Sequence, residues 1–224
     1  MKLIYIKANW NKLFRIKQLY FIVILLFPLL SEAQLSLGVA VGTNIGKFGG
    51  VEPPDASYNS RTGLNLGATF AWRFNKDISL TIQPMYSQRG SNIEVGEDTR
   101  RDSLKIYEIN INFLILPLFV RVDADNGIIY FISGLEFGFP LSAEFTTDGK
   151  NKDITGILNN IDILASIGMG LRFSLGKPDL LVEFRYYQGL VNFNTGGGED
   201  KGNIIFEDFK NSGFQLMAGL EWEL

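Results

Sequence analysis

Between Gly63 and Phe74 the side chains alternate without a break. Every even position in this segment is apolar or aromatic, and every odd position is small or polar, ending with Arg73. Successive side chains of a β-strand point to opposite faces, whereas a helical face repeats every ~3.6 residues. The segment therefore predicts a strand with apolar surroundings on one face and polar surroundings on the other.

The same alternation returns in seven further segments, which show no helical period. The predicted strands are Leu37–Val41, Gly63–Phe74, Ser79–Tyr86, Ile111–Phe119, Phe131–Phe139, Ile161–Ser174, Leu181–Phe193 and Phe214–Glu223. The segment Ile111–Phe119 is apolar on both faces. We assign its odd-numbered Ile and Phe residues to the outward face, with Leu114, Leu116 and Leu118 inward.

Short turns and long polar connections alternate between these strands. The turns, rich in residues that favour tight reversals, are Asn75–Asp77, Asp123–Gly127 and Gly176–Asp179. The long connections lie near residues 47–61, 91–104, 146–156 and 192–211. This arrangement predicts an all-β fold, an eight-stranded antiparallel up-and-down transmembrane β-barrel with both termini at the short-turn end. Outer-membrane barrels have this asymmetry, with short periplasmic turns and longer external loops.

The segment Leu181–Phe193 indicates which face of the barrel meets lipid. Phe184 and Tyr186 share one face, and the ionised Glu183 and Arg185 share the other. Acyl chains would accept the apolar face, while a closed lumen would let the charges pair. A soluble lipocalin-like exported barrel with an apolar interior is the alternative, but it would expose glycine-rich strand faces that add little stability.

The inward faces carry ionised residues that we expect to form a structural charge network in the lumen. Its predicted members are Arg73, Asp162, Arg172, Glu183, Arg185 and Glu221, together with Glu223. If Gly176–Asp179 closes a simple hairpin, Arg172 falls opposite Glu183, and opposite charges facing each other across a strand pair attract. Because eight strands enclose a space that side chains nearly fill, we expect a plug rather than a pore.

Six aromatic residues lie near predicted strand ends, where outer-membrane barrels carry aromatic girdles at the bilayer interfaces. They are Trp72, Phe74, Tyr86, Phe173, Tyr186 and Trp222. Three prolines, Pro84, Pro117 and Pro140, fall within predicted strands and each lacks a backbone donor. We expect each proline at a bulge or near the rim.

The first residues have the layout of a secretory signal peptide. A basic start precedes the apolar run Leu19–Leu30 and a small-residue cleavage site ending at Ala33. We therefore expect a signal peptide at 1–33 and an outer-membrane barrel domain at 34–224. An uncleaved anchor is the alternative, but a run interrupted by Pro28 is short for a span of ~20 residues. The mature chain would hold 16 Lys and Arg against 23 Asp and Glu, which argues against a nucleic-acid partner.

The sequence contains no His and no Cys. Small outer-membrane barrel enzymes depend on a His as base or activator, so we expect no enzymatic activity and no cofactor. Only oxygen-ligated ions could bind without these residues. The acidic segments Glu94–Asp102 and Gly196–Gly202 could hold Ca²⁺, but neither has the spacing of a calcium motif, so we expect no metal site.

Four segments resemble, in order and spacing, the PorT-like outer-membrane β-barrel proteins of Bacteroidetes-type bacteria. They are Ser79–Gly90, Ile111–Val122, Phe131–Phe139 and Val182–Phe193, the last carrying the specific pattern E-x-R-Y-x-x-G-L-x-N that begins at Glu183. Met85 and Leu116 stand where that family often has Glu. The resemblance implies residence in the outer membrane of a Gram-negative bacterium, and the founding member of the family is tied to a secretion and gliding apparatus.

Three classes of function remain open from the sequence. The first is a non-enzymatic barrel in outer-membrane lipid whose long external loops bind a partner, such as another envelope or secretion-system protein. The second is a narrow channel or small-ligand transporter. The third is the soluble lipocalin-like exported barrel. All three remain because the fold alone does not determine function. We rank them in the order given.

Overall fold

The computed structural model describes residues 34–50, 56–96, 104–125, 127–147, 149–193 and 209–224. The predicted signal peptide at 1–33 lies outside the described residues, as do Gly196–Gly202 and most of Glu94–Asp102. No helix among the described residues is long and apolar enough to cross a membrane.

The described residues form β-strands and one single-turn 3₁₀ helix at Thr155–Ile157. The strands are β1 (Gln34–Gly50), β2 (Ala56–Arg73), β3 (Ile78–Ile82), β4 (Met85–Gly96), β5 (Leu104–Asp123), β6 (Ile129–Thr147), β7 (Lys150–Asp153), β8 (Asp162–Ser174), β9 (Asp179–Gly189) and β10 (Phe209–Glu223). Strand β7 is a short addition beside β6. Each alternating segment of the sequence therefore coincides with strand, as predicted, except at Gln83 and Pro84, at single end residues, and beyond Gly189, where β9 ends four residues before the predicted end at Phe193.

The sheet closes into a ring of antiparallel strands. Consecutive strands pair along the chain, and β10 pairs with β1 from Ser36↔Glu223 to Gly50↔Phe209. Strands β3 and β4 share one position in the ring, because both pair with β2 on one side and β5 on the other. The ring thus has 8 strand positions, which confirms the predicted up-and-down barrel.

The apolar residues face outward and the charged residues face the lumen. On the outside, Ile167 is 63% exposed and Phe184 is 50% exposed, whereas Glu183 is only 4% exposed. A soluble barrel would bury the first two residues. The lipocalin-like alternative is therefore wrong, and the outward apolar surface is that of a membrane barrel.

Strand β5 faces the opposite way from our assignment. Ile111, Phe113 and Ile115 are fully buried inside the barrel, while Leu114 and Leu116 are exposed on the outer surface. Both sets are apolar, because one packs in the barrel interior and the other meets lipid. Periodicity alone cannot distinguish these two environments.

Much of the predicted long connections consists of strand. β1 runs to Gly50 and β2 begins at Ala56, while β4 and β5 form a hairpin between Gly96 and Leu104. The prediction of long loops near residues 47–61 and 91–104 is therefore wrong for residues 47–50, 56–61, 91–96 and 104, which lie in strands. We call the wall formed by segments 47–50, 56–62, 88–96, 104–112 and 142–147 the extension.

The prolines in strands occupy interruptions of the ladder. Pro84 lies in the break between β3 and β4, and its carbonyl accepts a hydrogen bond from the Ala68 N–H at 3.0 Å. Pro117 faces this break, where its carbonyl accepts from the Gln83 N–H at 3.1 Å. Pro140 lies at a register shift between β5 and β6. The missing donors thus coincide with irregular pairing, as expected.

Candidate functional site

Near the short turns, arginines and glutamates form a buried ion cluster. Arg121 Nη1 lies 3.1 Å from both carboxylate oxygens of Glu221, and Arg121 Nη2 lies 3.8 Å from Glu183 Oε1. Arg185 donates a short hydrogen bond to Glu183 Oε2, and the Tyr130 hydroxyl donates to Glu183 Oε1 at 2.7 Å. We call these five residues, which are all buried, the turn-side ion cluster.

Glycines on the inward faces make room for this cluster. A Cβ at Gly170 would lie 2.2 Å from the Tyr130 ring, and a Cβ at Gly168 would lie 2.9 Å from Arg185 Cγ. Real Cβ atoms do not approach so closely, so the large polar side chains fit only because these positions carry no side chain. The small residues of the alternating pattern are therefore required by the packing of the lumen.

Arg172 lies beside this cluster with a different partner from the one we predicted. β8 and β9 pair Arg172 with Leu181, whereas Glu183 lies opposite Gly170. The hairpin closes at Ser174↔Asp179, two residues earlier than a tight turn at Gly176 would require. Arg172 Nη1 instead lies 3.1 Å from Asp123 Oδ1, and Arg172 Nε lies 3.9 Å from Asp179 Oδ2.

A second buried ion cluster lies halfway along the barrel. Arg89 Nη2 on β4 is 2.5 Å from Glu136 Oε2 on β6, and the Ser166 hydroxyl donates to Glu136 Oε1 at 2.6 Å. Close by, the Asn211 amide donates to Asp162 Oδ2 at 2.6 Å. We call these five residues the middle ion cluster. A buried charge is costly unless it is paired, and here Arg89 and Glu136 meet this requirement across the lumen.

The predicted members of the charge network fall in different places. Asp162, Glu183, Arg185 and Glu221 are all buried in the lumen. Arg73 ends β2 at the rim, is half-buried, and forms no ion pair with any other described residue. Glu223 is exposed near the end of β10. These last two lie within reach of water at the short-turn end, so the expectation that they share the buried network is wrong.

Sequence reasoning missed several buried charges. Arg121 and Asp123 lie at the end of β5. The assignment that turned the isoleucines of this strand outward also implied an outward Arg121, and Asp123 was predicted in a turn. Arg89 lies between the predicted strand Ser79–Tyr86 and the predicted connection near residues 91–104, so it received no direction, although it lies within β4. Glu136 alternates with outward Leu135 and Phe137, and this alternation was a usable sign of its inward direction.

Toward the extension, the lumen is filled by apolar side chains. This apolar plug contains Phe48, Tyr58, Met85, Ile93, Ile109, Ile111, Phe113, Ile115, Phe145, Ile154, Leu158, Phe193, Phe209 and Met217. Phe48 stacks on Phe209 with ring centroids 4.1 Å apart, and Phe113 packs against Phe193 at 5.2 Å. Tight aromatic packing of this kind excludes water.

Little free space is left between the plug and the ion clusters. A cavity of about 10 Å³ lies beside Gln83, Glu183 and Glu221, which is room for about one water molecule. The Gln83 amide donates to the Thr69 hydroxyl at 2.8 Å along the wall of this cavity. The interior of the described barrel is therefore occupied by packed apolar side chains and by buried ion clusters.

The six predicted interface aromatics all lie on the outer surface, in two zones. Trp72, Phe74, Phe173 and Trp222 lie at the short-turn end, where the Trp72 and Phe74 rings stack at 5.8 Å. Tyr86 lies at the start of β4, and Tyr186 lies near the end of β9, on the side away from the short turns. The Tyr86 hydroxyl donates to Asn112 Oδ1 and the Tyr186 hydroxyl donates to Gln188 Oε1, each at 2.7 Å. These tyrosines thus mark where the outer surface turns polar.

The E-x-R-Y-x-x-G-L-x-N pattern has a structural explanation in β9. Its Glu183 and Arg185 belong to the turn-side ion cluster, and Tyr186 points outward. Gly189 lies so close to β10 that a Cβ would be 3.0 Å from the Asn211 carbonyl oxygen. The residues of the pattern therefore have three separate structural roles, in the lumen, on the outer surface and at a close contact between β9 and β10.

The chain matches the family model described as outer membrane protein beta-barrel domain over residues 30–194. Similar solved structures include Neisserial surface protein A, with 13% identity over 87% of this chain and 100% of that chain and a TM-score of 0.46. OprG from Pseudomonas aeruginosa gives 12% identity over 86% and 95% with a TM-score of 0.45. The attachment invasion locus protein Ail of Yersinia pestis gives 14% over 84% and 98% with a TM-score of 0.41. No curated protein sequence matches the chain.

Proposed function

Because the chain belongs to the family of outer membrane protein β-barrel domains, we propose that it is a non-enzymatic, closed barrel whose extension binds a partner protein. The protein resides in the outer membrane of a Gram-negative bacterium. The observation that carries the proposal is the extension itself, a wall of paired strands that continues past the apolar outer surface. We infer that the extension lies outside the cell, since barrels of this kind keep their short turns in the periplasm.

The extension has the properties of a rigid docking platform. Its strands are joined by continuous backbone pairing, from Ala56↔Val95 to Ser60↔Ser91 and from Glu108↔Thr146 to Asn112↔Ser142. Its inner face packs on the apolar plug. Side chains on such elements are held more precisely than side chains on loops, so its polar outer face can present a fixed pattern to a partner.

The packed lumen favours this role over that of a channel. The ion clusters pair their charges across the barrel, and the plug closes its other half. A conducting pore would instead need a continuous water-filled path. We therefore keep the channel or small-ligand transporter only as an outcome of the conductance test below.

The absence of enzymatic activity is part of the same proposal. The sequence has no His to act as a base. The Ser166 hydroxyl does donate to a carboxylate, Glu136, but that carboxylate is paired with Arg89 and all three side chains are buried. A substrate could not reach this serine, and an activated nucleophile must be accessible to its substrate.

We propose that the partner is an envelope or secretion-system protein, as the PorT-like resemblance suggests. Photo-crosslinking residues placed at Ser60 on β2 and Glu144 on β6, both exposed on the extension, should trap one discrete secretion-system component in living cells. The same residue at Lys76, exposed in the short β2–β3 turn, is the matched control and should trap none. Deleting the trapped component's gene should remove the adduct, and equal trapping from Lys76 would contradict the proposal.

Planar-bilayer recordings test whether the barrel is closed. We expect the purified protein to give no stable conductance steps. Regular steps that disappear when the lumen is blocked would instead support the channel. The crosslinking and conductance experiments are independent. A closed barrel without a partner would give neither adduct nor conductance, whereas a conducting barrel with a partner would give both.

Two further parts of the proposal concern processing and position in the bilayer. We propose that residues 1–33 are removed as a signal peptide, so sequencing of the protein from outer membranes should begin at Gln34. We also propose that the tryptophans and phenylalanines at the short-turn end lie at the periplasmic interface, and that Tyr86 and Tyr186 lie at the outer interface. If lipids brominated in mid-chain quench the fluorescence of Trp72 and Trp222 more strongly than interfacial quenchers do, this position is contradicted.

A further inference from the structure

The outer surface of the β1–β10 seam changes from apolar to basic within one outward position on β1 and two on β10. Ile45 and Phe214 are paired across the seam and are each 48% exposed. Toward the extension, the next outward residue of β1 is Lys47, and β10 continues through Ser212 to Lys210. Two residues along a tilted strand advance by ~5 Å, so Lys47 lies one such step and Lys210 two such steps beyond the apolar pair, and we infer that both lie at the level of the lipid headgroups.

The packing of the apolar plug fixes the direction of both lysines. Phe48 follows Lys47 and Phe209 precedes Lys210, and these two phenylalanines stack inside the barrel at 4.1 Å. Adjacent strand residues point to opposite faces, so both lysines point outward. The pairs Lys47↔Ser212 and Gly49↔Lys210 place them diagonally across the seam, a separation of ~7–8 Å between backbones.

Lys210 is held on the wall by a contact of its own. Its Nζ donates to the Leu190 carbonyl at 3.3 Å, just beyond the end of β9. An ammonium group has three donors, so this contact leaves donors for a further acceptor. Lys47 is exposed and its long side chain can reach the same headgroup region.

Among the described residues, the acidic side chains at this level lie on the other side of the barrel. β1 and β2 contain no Asp or Glu, and the acids of β9 and β10 lie in the lumen or at the short-turn end. On the opposite wall, β4, β5 and β6 carry Glu94, Glu108 and Glu144. In the described part of the seam, the outer face is therefore basic directly above lipid-facing apolar residues.

From this geometry we propose that Lys47 and Lys210 bind the phosphate group of an anionic glycolipid in the outer leaflet. Ile45 and Phe214 contact its acyl chains, and the two ammonium groups approach its headgroup phosphate. The inference takes from the proposed function only the assignment of the extension to the cell exterior. It does not depend on whether a partner protein binds.

The test compares lipid binding by two double variants with equal charge loss. Purified barrel in neutral detergent micelles is titrated with bisphosphorylated lipid A, and bound lipid is counted by native mass spectrometry. Lys47→Gln with Lys210→Gln should weaken binding ~30-fold, because each lysine near an anionic lipid surface contributes a factor of about 5. Lys150→Gln with Lys152→Gln on β7, where both lysines are exposed, should bind as the native protein does. Binding should also fall with added salt.

Lipid A without phosphate and inorganic phosphate alone distinguish the possible sources of the signal. The proposal expects weak binding of the dephosphorylated lipid and no competition from millimolar inorganic phosphate. Equal binding by both double variants would overturn the proposal, as would full competition by free phosphate. Heat-dependent migration of each variant on SDS gels shows that the variant is folded. If the native barrel binds lipid A but the crosslinkers at Ser60 and Glu144 trap no partner, the proposed function alone is contradicted.

Discussion

Replacing Glu136 by Gln should strongly destabilise the barrel, because it removes the carboxylate in direct contact with the buried charge of Arg89 and leaves only the more distant Asp162. The two groups are 2.5 Å apart, and their side chains are 0% and 1% exposed. Removing one partner of such a pair costs about 3–5 kcal/mol. Gln keeps the volume and keeps an acceptor for the Ser166 hydroxyl, which donates to Glu136 at 2.6 Å, so the loss reports the charge itself.

The assay is equilibrium unfolding by guanidinium in lipid vesicles, followed by the fluorescence of Trp72 and Trp222. Glu108→Gln is the matched control, because it removes an ion pair with Arg61 in which the side chains are 18% and 45% exposed. This exposed pair should contribute only about 0–1 kcal/mol. Combining Glu136→Gln with Arg89→Met should cost about 3 kcal/mol less than the sum of the single losses.

Equal, small losses for Glu136→Gln and Glu108→Gln would refute the reasoning. Such a result would mean that water enters the middle of the lumen and screens the pair. The packed interior would then be wrong, and with it the case against a channel.

Further predictions concern the outer surface, the lumen and the rim. Ile167→Lys places a charge at the lipid-facing midplane and should cost about 2–4 kcal/mol by the same unfolding assay. Tyr130→Phe removes the 2.7 Å hydrogen bond to Glu183 and should cost about 1–3 kcal/mol. The backbone N–H and hydroxyl of Thr155 hold the pKa of Asp153 below its usual value. This turn is therefore stabilised above the usual Asp pKa and loses that stability as the pH falls through the lowered pKa. Thr155→Val should raise the pKa of Asp153, measured by NMR titration.

The elements that could be predicted from the sequence are those whose two faces differ. In β2 and β8, lipid-facing residues alternate with glycine, polar and charged residues, so period and facing could both be read. In β5 both faces are apolar, and the choice between them was wrong. Because that choice also sets the direction of Arg121, the sequence did not reveal the arginine that links β5 to β10.

The partners within the candidate site depend on details that alternation does not contain. The contact of Arg172 with Asp123 follows from a hairpin that closes at Ser174, and a shift of two residues keeps every side chain on its face while changing its neighbour. The extension was missed for a related reason. Its outer face is mostly polar, so it lacks the continuous apolar alternation of the lipid-facing strands.

The central claim is that the apolar strand faces contact lipid while the charged faces point into a packed lumen. Since the chain has no Cys, single spin labels can be attached at Ile167 or Ser166, adjacent residues of β8 that face outward and inward. In lipid bilayers, the label at Ile167 should collide freely with oxygen and hardly at all with a water-soluble nickel complex, and the label at Ser166 should be protected from both. A label at Ile167 that is accessible to nickel and protected from oxygen would contradict the account.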